Sequence, residues 1–220
     1  MIARRSHHTW LAIGALAALP AVAPAQGFAR AGAHVLFGDY RETAASLHYQ
    51  GAGVGFSAGF TKGKFSADGA FATLSYKPVD ENAGLEDFKT VQIDGWLRYY
   101  VANGISLEAG FTRRTTDPEF AAQSASAGRF GLRGSYLLGP GADLAVRGNY
   151  LFGGKFSGGG KAAFGIEVGL GLSVGASNGR WRLTADYAFQ RFNRTTTTND
   201  VEAKVPLQQA LARVGAALGF

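Results

Sequence analysis

The residues able to do covalent chemistry are few. Cysteine is absent, so there is no thiolate nucleophile, no thiolate metal site and no disulfide framework. Of four histidines, only His34 and His48 lie beyond the first 25 residues. Acyl transfer by histidine needs a serine and an acid in reach. His48 stands in Ser46-Leu47-His48-Tyr49, which matches no such motif, so it is expected to be a rim residue without a catalytic role. His34 alternates with apolar neighbours and reads as a residue of a lumen or of an aromatic girdle. The glycine runs are no better as phosphate cradles. Gly51-Ala52-Gly53-Val54-Gly55 lacks the dinucleotide spacing and no helix follows it. Gly158-Gly159-Gly160-Lys161-Ala162 lacks the first glycine and the hydroxyl of a P-loop. Asn193-Arg194-Thr195 fits a glycosylation triplet but carries little weight. We expect no catalytic residue, no metal site and no cofactor.

The remaining chemistry is charge. Asp94, Glu108, Glu167 and Asp186 stand against Arg98, Arg133, Arg147 and Arg182, and each occupies the polar phase of a two-residue alternation. Such spacing puts a charge on one face of a strand. In Thr90–Val101, Val91, Ile93, Leu97, Tyr99 and Val101 share one face, and Gln92, Asp94, Trp96, Arg98 and Tyr100 share the other. Ala102-Asn103-Gly104 follows as a tight turn, because Asn-Gly adopts positive φ cheaply. The same grammar recurs through Ile105–Arg114, Arg129–Leu138, Leu144–Phe152, Phe164–Val174, Trp181–Gln190 and Gln209–Phe220. It is less sharp in Ala31–Phe37, Gly51–Phe60 and Ala70–Tyr76. In the last of these, Ala70, Ala72, Leu74 and Tyr76 are expected on the apolar face. The alternation predicts ten strands.

The connections alternate too. Short links are expected around Thr61–Lys64, Ala102–Gly104, Gly139–Ala142 and Gly175–Gly179. Longer polar links are expected at Lys77–Lys89, Thr115–Gly128, Gly153–Lys161 and Asn193–Pro206. Tight turns at one end and elaborated loops at the other are a feature of transmembrane barrels. The long links offer surface for recognition, with acidic Asp80, Glu81, Glu86 and Asp87 in one, and a basic stretch running from Arg191 into Thr195–Thr198, Asn199 and Asp200 in another.

The chain of 220 residues divides into a leader and one domain. Residues 1–25 carry Arg4 and Arg5, the apolar run Trp10–Leu19 and the small-x-small site Ala23-Pro24-Ala25, the three parts of a secretory signal peptide cleaved near Ala25. Residues 26–220 form the domain. Losing the leader takes the formal charge from +6 to +4, too modest to argue for nucleic acid. Hydrophobic residues are 46%, which argues against disorder. Beyond the leader no run approaches the roughly 18 apolar residues of a spanning helix. Any membrane crossing must be made by strands.

Alternation alone does not separate a lipid-facing exterior from the apolar interior of a soluble barrel. Four features favour lipid. Most strands are near spanning length; charges of both signs sit at strand centres. Aromatics gather near strand ends, as Tyr99, Tyr136, Trp181 and Phe220 at the tight-turn end and Tyr76, Phe111, Phe152 and Phe189 at the other. The fourth is the end of the chain, where Ala212, Val214, Ala216, Leu218 and terminal Phe220 alternate.

That last segment resembles the last-strand signal of bacterial outer-membrane β-barrels, read by the barrel-assembly machinery, and the architecture is similar to the opacity-protein and OmpA-barrel group. The resemblance implies an all-β, closed antiparallel up-and-down transmembrane barrel in the outer membrane. It implies outer-membrane lipid and the assembly machinery as partners, with Val214, Ala216, Leu218 and Phe220 as the assembly signal. The small barrels of that group often have eight strands, against the ten expected here. A monomer is expected. The eight charges then have two readings: a bonded network filling the lumen, or the lining of a narrow, anion-leaning, porin-like pore. The function expected is non-enzymatic, structural or surface-interacting, with that pore as the alternative and a lipid-modifying barrel enzyme as a distant third.

Overall fold

The computed structural model describes residues 28–220 apart from 81–84, 119, 177–178 and 199–200. The signal segment, Glu81, and the pairs Ser177-Asn178 and Asn199-Asp200 therefore lie outside the described residues. Ten antiparallel strands follow one another: β1 (Phe28–Glu42), β2 (Leu47–Lys62), β3 (Phe65–Pro78), β4 (Phe88–Ala102), β5 (Ile105–Asp117), β6 (Ala125–Gly139), β7 (Ala142–Phe156), β8 (Lys161–Gly175), β9 (Trp181–Thr198) and β10 (Val201–Gly219). Each pairs with its neighbours in sequence, and β1 pairs with β10 to close the barrel. Closure leaves no unpaired sheet edge, which is the condition for a sheet to sit in hydrocarbon.

The closing seam is made by the chain terminus. Val35 faces Val214, Ala33 faces Ala216 and Ala31 faces Leu218 across it. The Phe220 N–H donates to the Ala29 carbonyl at 2.8 Å, and the Ala29 N–H returns a bond of 3.3 Å. Val214, Ala216 and Leu218 thus lie on the strand that completes the ring, and Phe220 follows it directly.

Alternation sorts the side chains as the strand period demands. Val35, Phe37, Val54, Phe56, Val91, Ile93, Leu97, Phe111, Phe130, Leu132, Val168, Leu170 and Val214 are all exposed on the outer wall. Their inward neighbours are buried: Leu36, Gln92, Asp94, Glu108, Arg129 and Glu167 among them. A continuous exposed apolar belt around a closed sheet is untenable in water and suited to lipid. The strands run from 13 to 19 residues, more than the roughly 9–11 that a tilted strand needs to cross a bilayer.

Two expectations need correction. The Ala72, Leu74 and Tyr76 face of β3 points into the lumen, and Phe71 points out. Tyr76 is therefore no girdle residue. The reason lies in the adjacent strand, whose lumen face is glycine: a Cβ on Gly51 would come within 2.8 Å of Tyr76 Cδ1. The missing side chains leave space that apolar groups from β3 fill. The long links are also shorter than expected. Most of Asn193–Pro206 is strand, with the β-branched run Thr195–Thr198 extending β9. Likewise Gly153–Lys161 shrinks to a link of residues 157–160. Only 79–87 and 118–124 remain as longer links, the second holding a 3₁₀ turn at Ala121–Gln123. At the opposite end, Gly104 takes φ +75° in the Asn103-Gly104 turn.

Glycine on the lumen face allows close approach between strands. A Cβ on Gly53 would overlap the Thr73 carbonyl oxygen, whereas one on Gly148 meets nothing within 4 Å. Gly53→Ala should lower the urea midpoint of the refolded barrel by the equivalent of about 1–3 kcal/mol. Gly148→Ala should leave that midpoint within about 0.5 kcal/mol.

Candidate functional site

The lumen holds the chemistry-bearing residues, in layers. At mid-height, β4 supplies Asp94, Trp96 and Arg98, β5 Glu108, β6 Arg129, β7 Arg147 and Asn149, β8 Glu167, β9 Asp186 and β10 Arg213. Each occupies the inward phase of its alternation, and the strand register brings them to one level. Arg129 pairs with Asp94, and its Nη1 lies 3.0 Å from Glu167 Oε2. Arg147 reaches Glu167 at 3.1 Å and Asp186 at 3.6 Å. Arg213 joins Asp94 at 3.3 Å to Asp186 at 3.4 Å. Each carboxylate of this ring touches two guanidinium groups.

A second pair hangs from the ring. Arg98 donates Nε–H to Glu108 Oε2 at 2.8 Å and also binds Asp68. Asn149 donates Nδ2–H to Glu108 at 2.9 Å and to Glu167 at 3.1 Å, joining the two groups. Gln190 donates to Glu167 at 2.6 Å and Gln92 to Asp94 at 2.8 Å. Trp96 lies beneath both cations, 4.7 Å from Arg129 and 5.4 Å from Arg147. Deeply buried charges persist when they are paired and hydrogen-bonded in this way.

Of the eight charges singled out in the sequence, six meet in this network: Asp94, Arg98, Glu108, Arg147, Glu167 and Asp186. Arg182 stands apart, nearer the tight turns, paired with Asp143 and donating to Ser173 Oγ at 2.6 Å. Arg133 is half-buried and makes no ion pair among the described residues. The residues that sequence reasoning left out of the set are Arg129, Arg213, Asp68, Asn149 and Trp96. Arg129 and Arg213 were visible on polar strand faces, but alternation reveals a face and not which of its residues reach one level.

Above this layer, toward the longer links, the lumen turns aromatic. Tyr40, Tyr49, Tyr76 and Phe88 are fully buried around Phe120. Tyr76 and Phe88 stack at 4.8 Å, while Tyr49 meets Phe88 edge-on at 4.9 Å and Phe120 at 5.3 Å. The link carrying Phe120 folds inward and places Gln123 between Tyr40 and Glu42, bonded to both. Arg114 lies over Tyr40 at 5.3 Å and donates to Gln209 Oε1 at 2.5 Å.

The free space follows these layers. The gap beside Asp94, Arg147 and Glu167 has a volume of about 10 Å³, room for one water at most. A vestibule of about 540 Å³ lies below, at the tight-turn end. The histidines sit outside the network core. His48 Nε2 lies 2.7 Å from Asp39 Oδ2 at the opposite rim, where Arg41 also holds Asp39 at 2.9 Å. His34 Nε2 lies 2.8 Å from Ser57 Oγ, but its Nδ1 has no hydrogen-bond partner among the described residues. Neither histidine joins a serine to an acid there.

Belt, closed ring and polar lumen together define a transmembrane β-barrel. No protein-family model and no curated protein sequence matches the chain. Solved structures do resemble it in form. The translocator domain of the autotransporter NalP from Neisseria meningitidis is 12% identical, with 89% of each chain covered and a TM-score of 0.45. The attachment invasion locus protein Ail of Yersinia pestis is 14% identical, with 89% of this chain and 100% of that one covered and a TM-score of 0.42. An anion-selective porin from Comamonas acidovorans is 14% identical, covering 84% of this chain and 59% of that one, with a TM-score of 0.34.

Glu167 holds Arg129 and Arg147 and also accepts from Asn149 and Gln190. Glu167→Gln should destabilise the refolded barrel by about 3–5 kcal/mol in urea unfolding, since Arg129 and Arg147 would each lose a partner. Arg41→Gln, on the exposed rim, should leave the same midpoint unchanged.

Proposed function

We propose that this chain is a non-enzymatic integral protein of the outer membrane, closed to diffusion, with a structural or surface-interaction role. The observation that carries the reading is the gap of about 10 Å³ at mid-lumen, bounded by paired charges and backed by the aromatic cluster. A hydrated ion needs a continuous wet path, and two consecutive obstructions oppose one. The placement in the outer membrane rests on the apolar belt and on strands as the means of crossing. The surface role would fall to the links and strand extensions beyond the belt, including the Thr195–Thr198 hairpin arm.

A second reading has its own support. The arginine-rich vestibule favours anions, and a narrow anion-leaning pore would result if the mid-lumen charge layer and the aromatic cluster both opened. Planar-bilayer conductance of refolded residues 26–220 separates the two, with heat-shifted gel mobility as the folding control. Folded protein should give no discrete channels. Reproducible unitary currents would overturn the closed-lumen reading and establish the pore.

The last strand is the proposed contact with the barrel-assembly machinery, because Phe220 directly follows the strand that closes the ring and bonds across the seam to Ala29. Deleting Phe220 should reduce insertion in cells several-fold while leaving refolding in detergent largely intact. Normal insertion of the deleted form would remove this role from the terminal residue.

A further inference from the structure

The vestibule at the tight-turn end is not electrically balanced. Seven of its lining residues are arginines and three are aspartates. Every aspartate is already engaged: Asp68 by Arg30 and Arg98, Asp143 by Arg182, and Asp186 by Arg147 and Arg213. Arg133 and the exposed Arg180 are left over, and of the two only Arg133 is half-buried in the wall. Across the β6–β7 pair it stands directly opposite Arg147, and on its other side it faces Ser106. Like charges opposed across a sheet repel and persist only with compensation. The charged groups around Arg133 are Arg98, Arg147, Glu108 and Arg30. Glu108, the one anion among them, is already held by Arg98 and Asn149.

We propose that this vestibule is a binding site for a multivalent oxyanion of the phosphate class, with Arg133 as the half-buried, unpaired guanidinium that recognises it. The chemistry fits the group. A guanidinium offers five N–H donors in a planar fork that matches two oxygens of a phosphate. A volume of about 540 Å³ holds a phosphate or diphosphate group with its water, within the usual range of ligand sites. Tyr100, Ser135 and Thr184 on the wall add hydroxyl donors. The charged layer borders the inner end of the vestibule. The outer end opens between turns such as Gly63-Lys64 and Pro140-Gly141, which are too short to fold over it. This inference needs only equilibrium binding and stands whether or not the lumen conducts.

The test uses refolded residues 26–220 in a non-ionic detergent and phosphate-free buffer, titrated by calorimetry with pyrophosphate and, separately, with dihexanoyl phosphatidic acid. One saturable site is expected for at least one probe. Pyrophosphate binding alone identifies a free anion as the ligand, and binding of the lipid alone identifies a headgroup; binding of both leaves the phosphate class as the determinant. Arg133→Gln should weaken that affinity about tenfold or more, the loss of one charge-assisted contact. Lys155→Gln, on the opposite rim, should not change it. Heat-shifted mobility checks that each variant is folded, and Arg133→Lys, which keeps the charge but not the fork, substitutes if Arg133→Gln does not fold. Failure of folded wild-type protein to bind either probe, or equal affinity in the Arg133 variant, overturns the proposal.

Discussion

A strand crossing lipid turns every second side chain toward hydrocarbon and the others toward the interior, and closing ten strands carries that parity around the ring. Every backbone donor and acceptor at membrane depth must then be satisfied within the ring, because lipid offers nothing in exchange. The β1–β10 seam is the constraint on which the rest depends. Without the Val35–Val214 and Ala31–Leu218 register there is an open edge, no enclosed lumen and no reason for charges to stand at strand centres. With it, Leu97 faces acyl chains while Arg98, one residue on, faces Glu108.

The interior reflects the narrowness of the ring. Ten short-turned strands leave a space that side chains nearly fill. Two kinds of filling are used. The mid-lumen ring of Asp94, Arg129, Glu167, Arg147, Asp186 and Arg213 alternates in sign, so each group is screened by its neighbours in a region with little water. Toward the longer links, Tyr40, Tyr49, Tyr76 and Phe88 fill the space by apolar packing, made possible by glycines such as Gly51 on the adjoining wall. The tight-turn end is filled by neither, and the unbalanced arginines collect there.

Much of this was legible in the sequence, and the exceptions have physical causes. The outward faces of β4, β5, β8 and β9 follow from strict alternation. The face of β3 does not, because Leu74 and Tyr76 are apolar residues buried inside, and hydrophobicity cannot tell a lipid-facing side chain from one packed against a glycine wall. The tight turns were marked by glycine in Asn103-Gly104 and Gly139-Pro140-Gly141. The β9–β10 extension was obscured because Thr195–Thr198 is polar as well as β-branched, and polarity suggested a loop. All eight charges lie on the lumen face, but the face does not fix who meets whom: register sets Arg133 opposite the like charge Arg147, and Arg182 lies nearer the tight turns with Asp143.

The central claim is that residue parity separates lipid from lumen, and the absence of native cysteine makes it directly measurable with single nitroxide labels. Labels at Ile93→Cys, Leu107→Cys, Gln92→Cys and Ser106→Cys would be read for oxygen accessibility in liposomes, since oxygen concentrates in hydrocarbon. High oxygen accessibility at positions 93 and 107 with low values at 92 and 106 is the outcome this barrel predicts. Equal accessibility at adjacent positions, or the reverse order, would contradict it.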